Sequence, residues 1–320
     1  MSQYKYKPFS YNDLKTYPLK ERDSKVNVQN FSKIAAPDKK FEDFIDSFPD
    51  ILAGKDWKDF LSLMKEAKKK EKAIMMGLGA HVIKVGLNPV IIDLMERNWV
   101  TSISLNGAGI IHDFEVAFAG KTSEDVSSQI EGGRFGMARE TGEMLNKAIK
   151  NGGEEGIGLG EAVGRMIAYS RFPFKGMSLL STAYNRNIPV TVHTAVGTDI
   201  IHYHPSVNGE MLGKTSLQDF FLLCSLVQDL EGGGIYINVG SAVILPEVFL
   251  KAVTLVRNKG KHLEKFSTAV FDFIHHYRPF QNVTRRPLGE NQKGFYFIGH
   301  HEIMIPLLAA CLKAFPGKGS

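Results

Sequence analysis

Trp99-Val-Thr-Ser-Ile-Ser-Leu-Asn-Gly-Ala-Gly-Ile-Ile-His-Asp-Phe-Glu115 is a strand that turns at once into a helix. Val100 to Leu105 alternates β-branched and apolar residues, the pattern of a strand. After Asn106-Gly107-Ala108-Gly109, residues Ile110, Ile111 and Phe114 take up helical spacing. Such a corner leaves backbone N–H groups bare at the positive end of a helix dipole, which suits a phosphate or carboxylate. The same glycines would equally serve a tight turn and nothing more.

Two further stretches repeat the pattern. Ala73-Ile-Met-Met-Gly-Leu-Gly-Ala80 ends an apolar run in Gly77 and Gly79, and Gly234-Ile-Tyr-Ile-Asn-Val-Gly-Ser-Ala242 ends in Gly240 and Ser241 before Pro246 starts a helix. If the three strands are parallel, all three corners lie along the carboxyl edge of one sheet, where open α/β folds bind ligands. None is a G-x-G-x-x-G fingerprint.

Working outward, strands are expected at 72–76, 100–105, 189–193, 234–239, 268–273 and 294–298, with helices at 177–184, 216–230, 246–257 and 302–314. Asn88-Pro89 reads as a capping side chain before a proline at the first helical position. Ser216 with Asp219 reads as a capping box, and Gly232 as a helix stop. Strands alternating with helices predict an α/β fold, a mostly parallel Rossmann-like sheet with helices on both faces. The expected division is 1–70, an N-terminal arm (to about residue 35) with helices over 41–52 and 57–70 joined at Gly54, and 71–320, one Rossmann-like domain. A helical insert at about 120–171 interrupts that domain, with breaks at Gly132-Gly133 and Gly152-Gly153.

Composition narrows the function. A hydrophobic share of 43% and a charged share of 23% are those of a soluble globular protein. The net charge of +5 is mild, and the basic run Lys65–Lys72 has interleaved acids, so nucleic acid is not an expected partner. The apolar run 303–312 is too short to span a bilayer, and the polar N-terminus lacks a signal-peptide core, so no membrane association and a cytoplasmic location are expected. Cys224 and Cys311 sit in apolar helical patterns and read as buried thiols in a reducing compartment.

Histidine is the conspicuous reagent. His112, His193, His202, His204, His275, His276, His300 and His301 all follow expected strand ends, and His112 and His300 are the leading acid–base candidates. Their spacings define no metal site, and no metal is expected. Asp199 can orient a polar ligand or cap a helix. Arg285 and Arg286, in a Pro-bounded loop, would clamp a carboxylate or phosphate if they lie near the site.

From about residue 70 to 315 the chain resembles the deoxyhypusine synthase family. The resemblance is carried by Leu105-Asn-Gly-Ala-Gly-Ile-Ile-His-Asp113, Asn185-Arg-Asn-Ile-Pro-Val-Thr-Val-His193, Gly197-Thr-Asp-Ile-Ile-His-Tyr-His204, Gly233 to Ser241, Val256-Arg-Asn-Lys-Gly260 and Pro306-Leu-Leu-Ala-Ala310. It implies NAD as cofactor, held near Asn106, Gly107, Ala108, Gly109, Gly240 and Ser241, in a homo-oligomer (dimer or tetramer) that transfers an aminobutyl group from a polyamine. The family's chemistry does not carry over with the fold. Pro287 stands at the place of its essential lysine, Gln281 and Arg285 at those of the polyamine-holding acid and tryptophan, and Val243–Glu247 replaces its Lys-His-His turn. His300 and His112 stand in place of two acids. A site that exchanges carboxylates for His and Arg repels a polycation. The expectation is therefore an NAD-binding enzyme acting on a neutral or anionic small molecule. The alternatives are a homospermidine-synthase-like transferase using a displaced lysine such as Lys293, and a non-catalytic nucleotide-binding protein.

Overall fold

Every strand pairing in the sheet is parallel. The computed structural model describes residues 14–18, 21, 27–34, 40–290 and 292–314. Among these, β1 (Ile74–Leu78), β2 (Ser102–Asn106), β3 (Val190–His193), β4 (Gly234–Val239), β5 (Phe266–Asp272) and β6 (Gly294–Ile298) run in the order β3-β2-β1-β4-β5-β6. Each lies within two residues of its expected ends. The register pairs Leu78 with both Leu105 and Val239, Val239 with Phe271, and Asp272 with Ile298. The residues that follow these positions therefore share one rim.

Parallel strands need crossovers, and helices supply them on both faces. Alternation along β1 shows the two cores. Ile74, Met76 and Leu78 join a cluster with α2 (Leu52–Lys69), α4 (Asn88–Glu96), α5 (Gly107–Ala119) and α13 (His301–Lys313). Met75 joins a second cluster with α10 (Gly209–Gln228) and α11 (Ile244–Asn258). Trp57 and Phe60 of α2 pack ring to ring on Phe271 and Phe297, so this N-terminal helix is part of the main core. Burying aromatic rings of this size stabilises by about 2–3 kcal/mol each.

Several expected boundaries move for physical reasons. Gly54 lies inside α2, where a Cβ would meet the Pro49 carbonyl, and the joint with α1 (Phe41–Asp46) falls earlier. Gly152 and Gly153 do not break α7 (Arg139–Glu155). They let it approach Ala162 of α8 (Leu159–Tyr169) and Met211 of α10, and the break comes at Gly156, with φ of 76°. Asn88 does not cap α4; its Nδ2 donates to Asp113 Oδ1 (3.0 Å) and to the Met177 carbonyl (2.8 Å). The arm expected to residue 35 lies largely outside the described residues. Its described part bonds back onto the body through Lys33 N to Ser47 O (2.9 Å) and Asp50 N to Asn30 O (2.9 Å).

The Ser216–Asp219 capping box is also absent. α10 starts seven residues earlier, capped by Asn208, whose side chain accepts from Met211 N at 3.0 Å. Asp219 lies mid-helix, fully buried, and its Oδ2 accepts from Gly160 N at the start of α8 and from Val192 N on the edge strand β3, both at 2.8 Å. Burial pushes this carboxyl up to about 7, against the pull of those amides. Its folded pKa thus exceeds the unfolded value, so the stability it lends is complete below about pH 4 and is lost as pH rises through 7. Asp219→Asn halves the acceptor capacity and should cost about 1–3 kcal/mol. Urea unfolding at pH 4.5 and pH 8 should show the wild type losing stability between the two and the variant losing less; an unchanged slope would dismiss Asp219 as its source.

Candidate functional site

In the order β3-β2-β1-β4-β5-β6 the chain reverses its direction of travel across the sheet between β1 and β4. Open α/β folds bind ligands at that switch point, outside the carboxyl ends of the strands. The two strands leave the sheet there through Gly79 and Gly240. Gly79 N donates to Val239 O at 2.7 Å, and a Cβ on Gly79 would land on the Gly240 carbonyl. Gly240 has φ of 67°, in the left-handed region. The two backbones meet with no side chain between them. All three glycine corners lie on one rim, because Gly79 and Gly240 directly follow, and Gly107 follows by two residues, the register that joins Leu78, Leu105 and Val239.

The corners differ in what already occupies them. At β2 the amides expected to be bare are taken. Asn106 Oδ1 accepts from Gly109 N (3.0 Å), and the Asp199 carboxylate accepts from Ala108 N and fills the space where a Cβ on Gly107 would point. Asp199 is buried, its Oδ2 lacks a hydrogen-bond partner, and burial raises its pKa, opposed by His202 with Nε2 3.7 Å away. This corner therefore offers a carboxylate oxygen to a hydrogen-bond donor. At β4, Ser241 Oγ accepts from Leu245 N (3.2 Å) and the Ser241 carbonyl accepts from Asn238 Nδ2 (3.0 Å), which sets the loop ahead of α11.

Histidines frame the switch point, although not the two favoured from sequence. His301, at the start of α13, lies against Gly240; a Cβ there would sit 2.8 Å from its Cε1. The rings of His81, in α3 (His81–Lys84), and Phe273 stand 5.7 and 5.9 Å from it. Asp272, the last residue of β5, is buried with Oδ2 unpartnered, 3.8 Å from His276 Nε2. His112 is half-buried in α5, with Nδ1 2.7 Å from Thr122 Oγ1, and burial lowers its pKa to about 4, Lys84 adding to the shift. His300 is exposed, 3.8 Å from Glu302. His193 is buried beside Thr191, and His204 packs on Gly142. His81 escaped sequence analysis because it follows the corner glycine by two residues with no strand-end signal of its own.

The basic candidates lie elsewhere. Arg285 stacks on Phe280 at 4.9 Å and lines a cavity of about 600 Å³ with Gly294 and Phe295, at the amino edge of β6. Arg286 is turned to Asn282 Oδ1 (2.8 Å) and Tyr277 Oη (3.2 Å). Lys293 pairs with Asp59 at 2.8 Å beside that same cavity, on the edge opposite the glycine corners. Among the described residues no group of three or more His, Cys, Asp or Glu could hold a metal, and no helix is long and apolar enough to cross a membrane. Cys224 is half-buried, Cys311 is buried, and both are free thiols.

No family model matches the sequence, and no curated protein matches it either. Likeness to solved structures is in fold alone. The ternary complex of AgrE with ornithine and NAD+ superposes with a TM-score of 0.52 at 13% identity, over 80% of this chain and 32% of AgrE. A Methanococcus maripaludis S2 protein proposed to be of the LOR/SDH type gives 0.50 at 17% identity, over 87% of this chain and 71% of that one. ArgZ, a cyanobacterial arginine dihydrolase, gives 0.50 at 13% identity, over 83% and 34%; the chain thus spans about a third of the length of ArgZ and AgrE. The architecture is Rossmann-like, as the strand order shows independently.

Gly79→Ala should force the β1 and β4 corners apart, because the added methyl meets backbone that cannot rotate away. Overpacking of this kind costs about 1–3 kcal/mol. A melting temperature within a degree of wild type would show that the two loops are not locked together.

Proposed function

We propose that this chain is an NAD-binding enzyme, with the dinucleotide lying across the β1/β4 switch point, that acts on a neutral or anionic small molecule. The contact between Gly79 and Gly240 carries the proposal: two backbones that need the absence of a side chain, at the place where this strand order binds ligands. The donor set fits the cofactor. Gly240, whose amide donates to the Phe271 carbonyl at 2.9 Å, and Ser241 form the corner that would face a phosphate, while the unpartnered oxygen of Asp199 suits a ribose hydroxyl, which donates. At the β2 corner Asn106, Gly107, Ala108 and Gly109, whose Ala108 and Gly109 amides are engaged, would meet the cofactor through the Asp199 carboxylate they carry. When bound, the nicotinamide supplies hydride acceptance.

The displaced-lysine alternative would need Lys293, which is paired to Asp59 at the amino edge. AgrE, which shares the fold, was solved with ornithine and NAD+ together, and that pairing supports a substrate of amino-acid size beside the dinucleotide here.

We further propose a homo-oligomer. Phe273, Ile274 and Tyr277 follow the end of β5, Ile298 ends β6 and Ile303 follows it, and all five are 46–65% exposed. Apolar exposure clustered beside a crevice marks an association surface, and a second copy laid over it would also shield the site from water.

Calorimetry with NAD+ and ADP-ribose tests the assignment, alongside mass analysis of any ligand released from the purified protein. Micromolar binding of both is expected. No binding of either at about 1 mM, equivalent to about 4 kcal/mol, would leave the fold without its cofactor and overturn the proposal. Light scattering should give a mass at least twice 35.6 kDa; a monomer at tens of micromolar would remove the association surface.

A further inference from the structure

We infer that His301, held by the carbonyl of Phe271 at the end of β5, is the acid–base group of this site, and that the substrate is an alcohol or amine bearing a hydrogen on the same carbon. The inference rests on the proposed NAD site. Its geometry comes from three elements that meet only in the folded chain.

His301 is 1% exposed, yet only one of its ring nitrogens has a partner. Nε2 lies 3.3 Å from the Phe271 carbonyl. A carbonyl only accepts, so Nε2 carries the proton and Nδ1 is a bare lone pair. A buried acceptor without a donor costs about 1–3 kcal/mol, a cost a structural histidine has no reason to bear. Burial lowers the pKa of His301, which keeps the ring neutral and able to take up a proton, while the Phe271 carbonyl and Asp272 pull the other way. His81 lowers it further and Glu302 raises it, and His276 faces Asp272 from the next loop.

The ring lies against Gly240, at the corner proposed for the cofactor. Nδ1 would take the proton from the substrate hydroxyl or amino group as the carbon gives up its hydrogen, with the bonding pair, to the nicotinamide. The products are a carbonyl or imine, the reduced cofactor and protonated His301, so atoms and electrons balance. The exposed ring of His81, 5.7 Å away, offers that proton a way to solvent. The charge of Asp272, next in the chain to Phe271, favours the imidazolium from a distance.

The test uses the full chain, the variants His301→Gln and Asp272→Asn, and NAD+ as the named ligand. Imidazole carbon NMR identifies His301 by the resonance missing in His301→Gln. Asp272→Asn should lower its pKa, since one raising charge is gone. NAD+ affinity in His301→Gln should stay within about threefold of wild type. NADH formation from L-malate, L-lactate, L-alanine or L-glutamate should fall about 10²- to 10⁴-fold in that variant. A His301 titration unmoved by Asp272→Asn, or full turnover in His301→Gln, overturns the acid–base assignment while NAD+ binding still stands. Turnover of none of the four probes overturns the substrate class, and wild-type protein that fails to bind NAD+ overturns the site itself.

Discussion

The direct contact of two backbones, Gly79 against Gly240, is the constraint on which the molecule's geometry depends. β1 and β4 are sequence-distant strands laid side by side in parallel, and their chains must separate as they leave the sheet. With no Cβ at either position the exits can touch before diverging. Helix α3 starts just after Gly79 and α11 just after Gly240, and α13, arriving after β6, lays His301 against Gly240. A side chain at either glycine would separate the strands or displace His301, so the fold and the site make the same demand.

Buried carboxylates complete the framework. Asp113 gathers Asn88, Ser178 and the amides of Leu179 and Leu180, and burial raises its pKa to about 6. Asp219 satisfies the edge of β3 and the start of α8, and Asp199 the start of α5. Each supplies acceptors to amides that secondary structure leaves over. The consequence for function lies at Asp199. The β2 corner, which by itself would attract an anion, carries an internal one, so the three corners are not equivalent. The β1 and β4 corners are joined by backbone contact, and it is there that His81 and His301 gather.

The strands were legible in the sequence because a buried parallel strand is a short apolar run bounded by turn residues, a local property. All six stand within two residues of expectation. Helix starts were less legible. Ser216 and Asp219 have the spacing of a capping box, yet Asp219 serves α8 and β3 from the middle of α10. Asn88 has the right residue type for a cap and spends its amide on Asp113 and Met177. The same side chain can satisfy its own helix or a neighbour, and nothing local distinguishes the two.

The sequence by itself determined the fold class, the parallel sheet and the three glycine corners on one edge, because periodicity and small residues act over a few positions. Only the tertiary structure decided which chemistry meets them. Arg285 and Lys293 are at the opposite edge, His112 is turned to Thr122, and His301 and not His300 lies on Gly240. A one-residue difference at the start of a helix rotates a side chain by about 100°, and whether it then faces a crevice or solvent depends on strands far away in the chain. That orientation is a property of packing, and no local pattern encodes it.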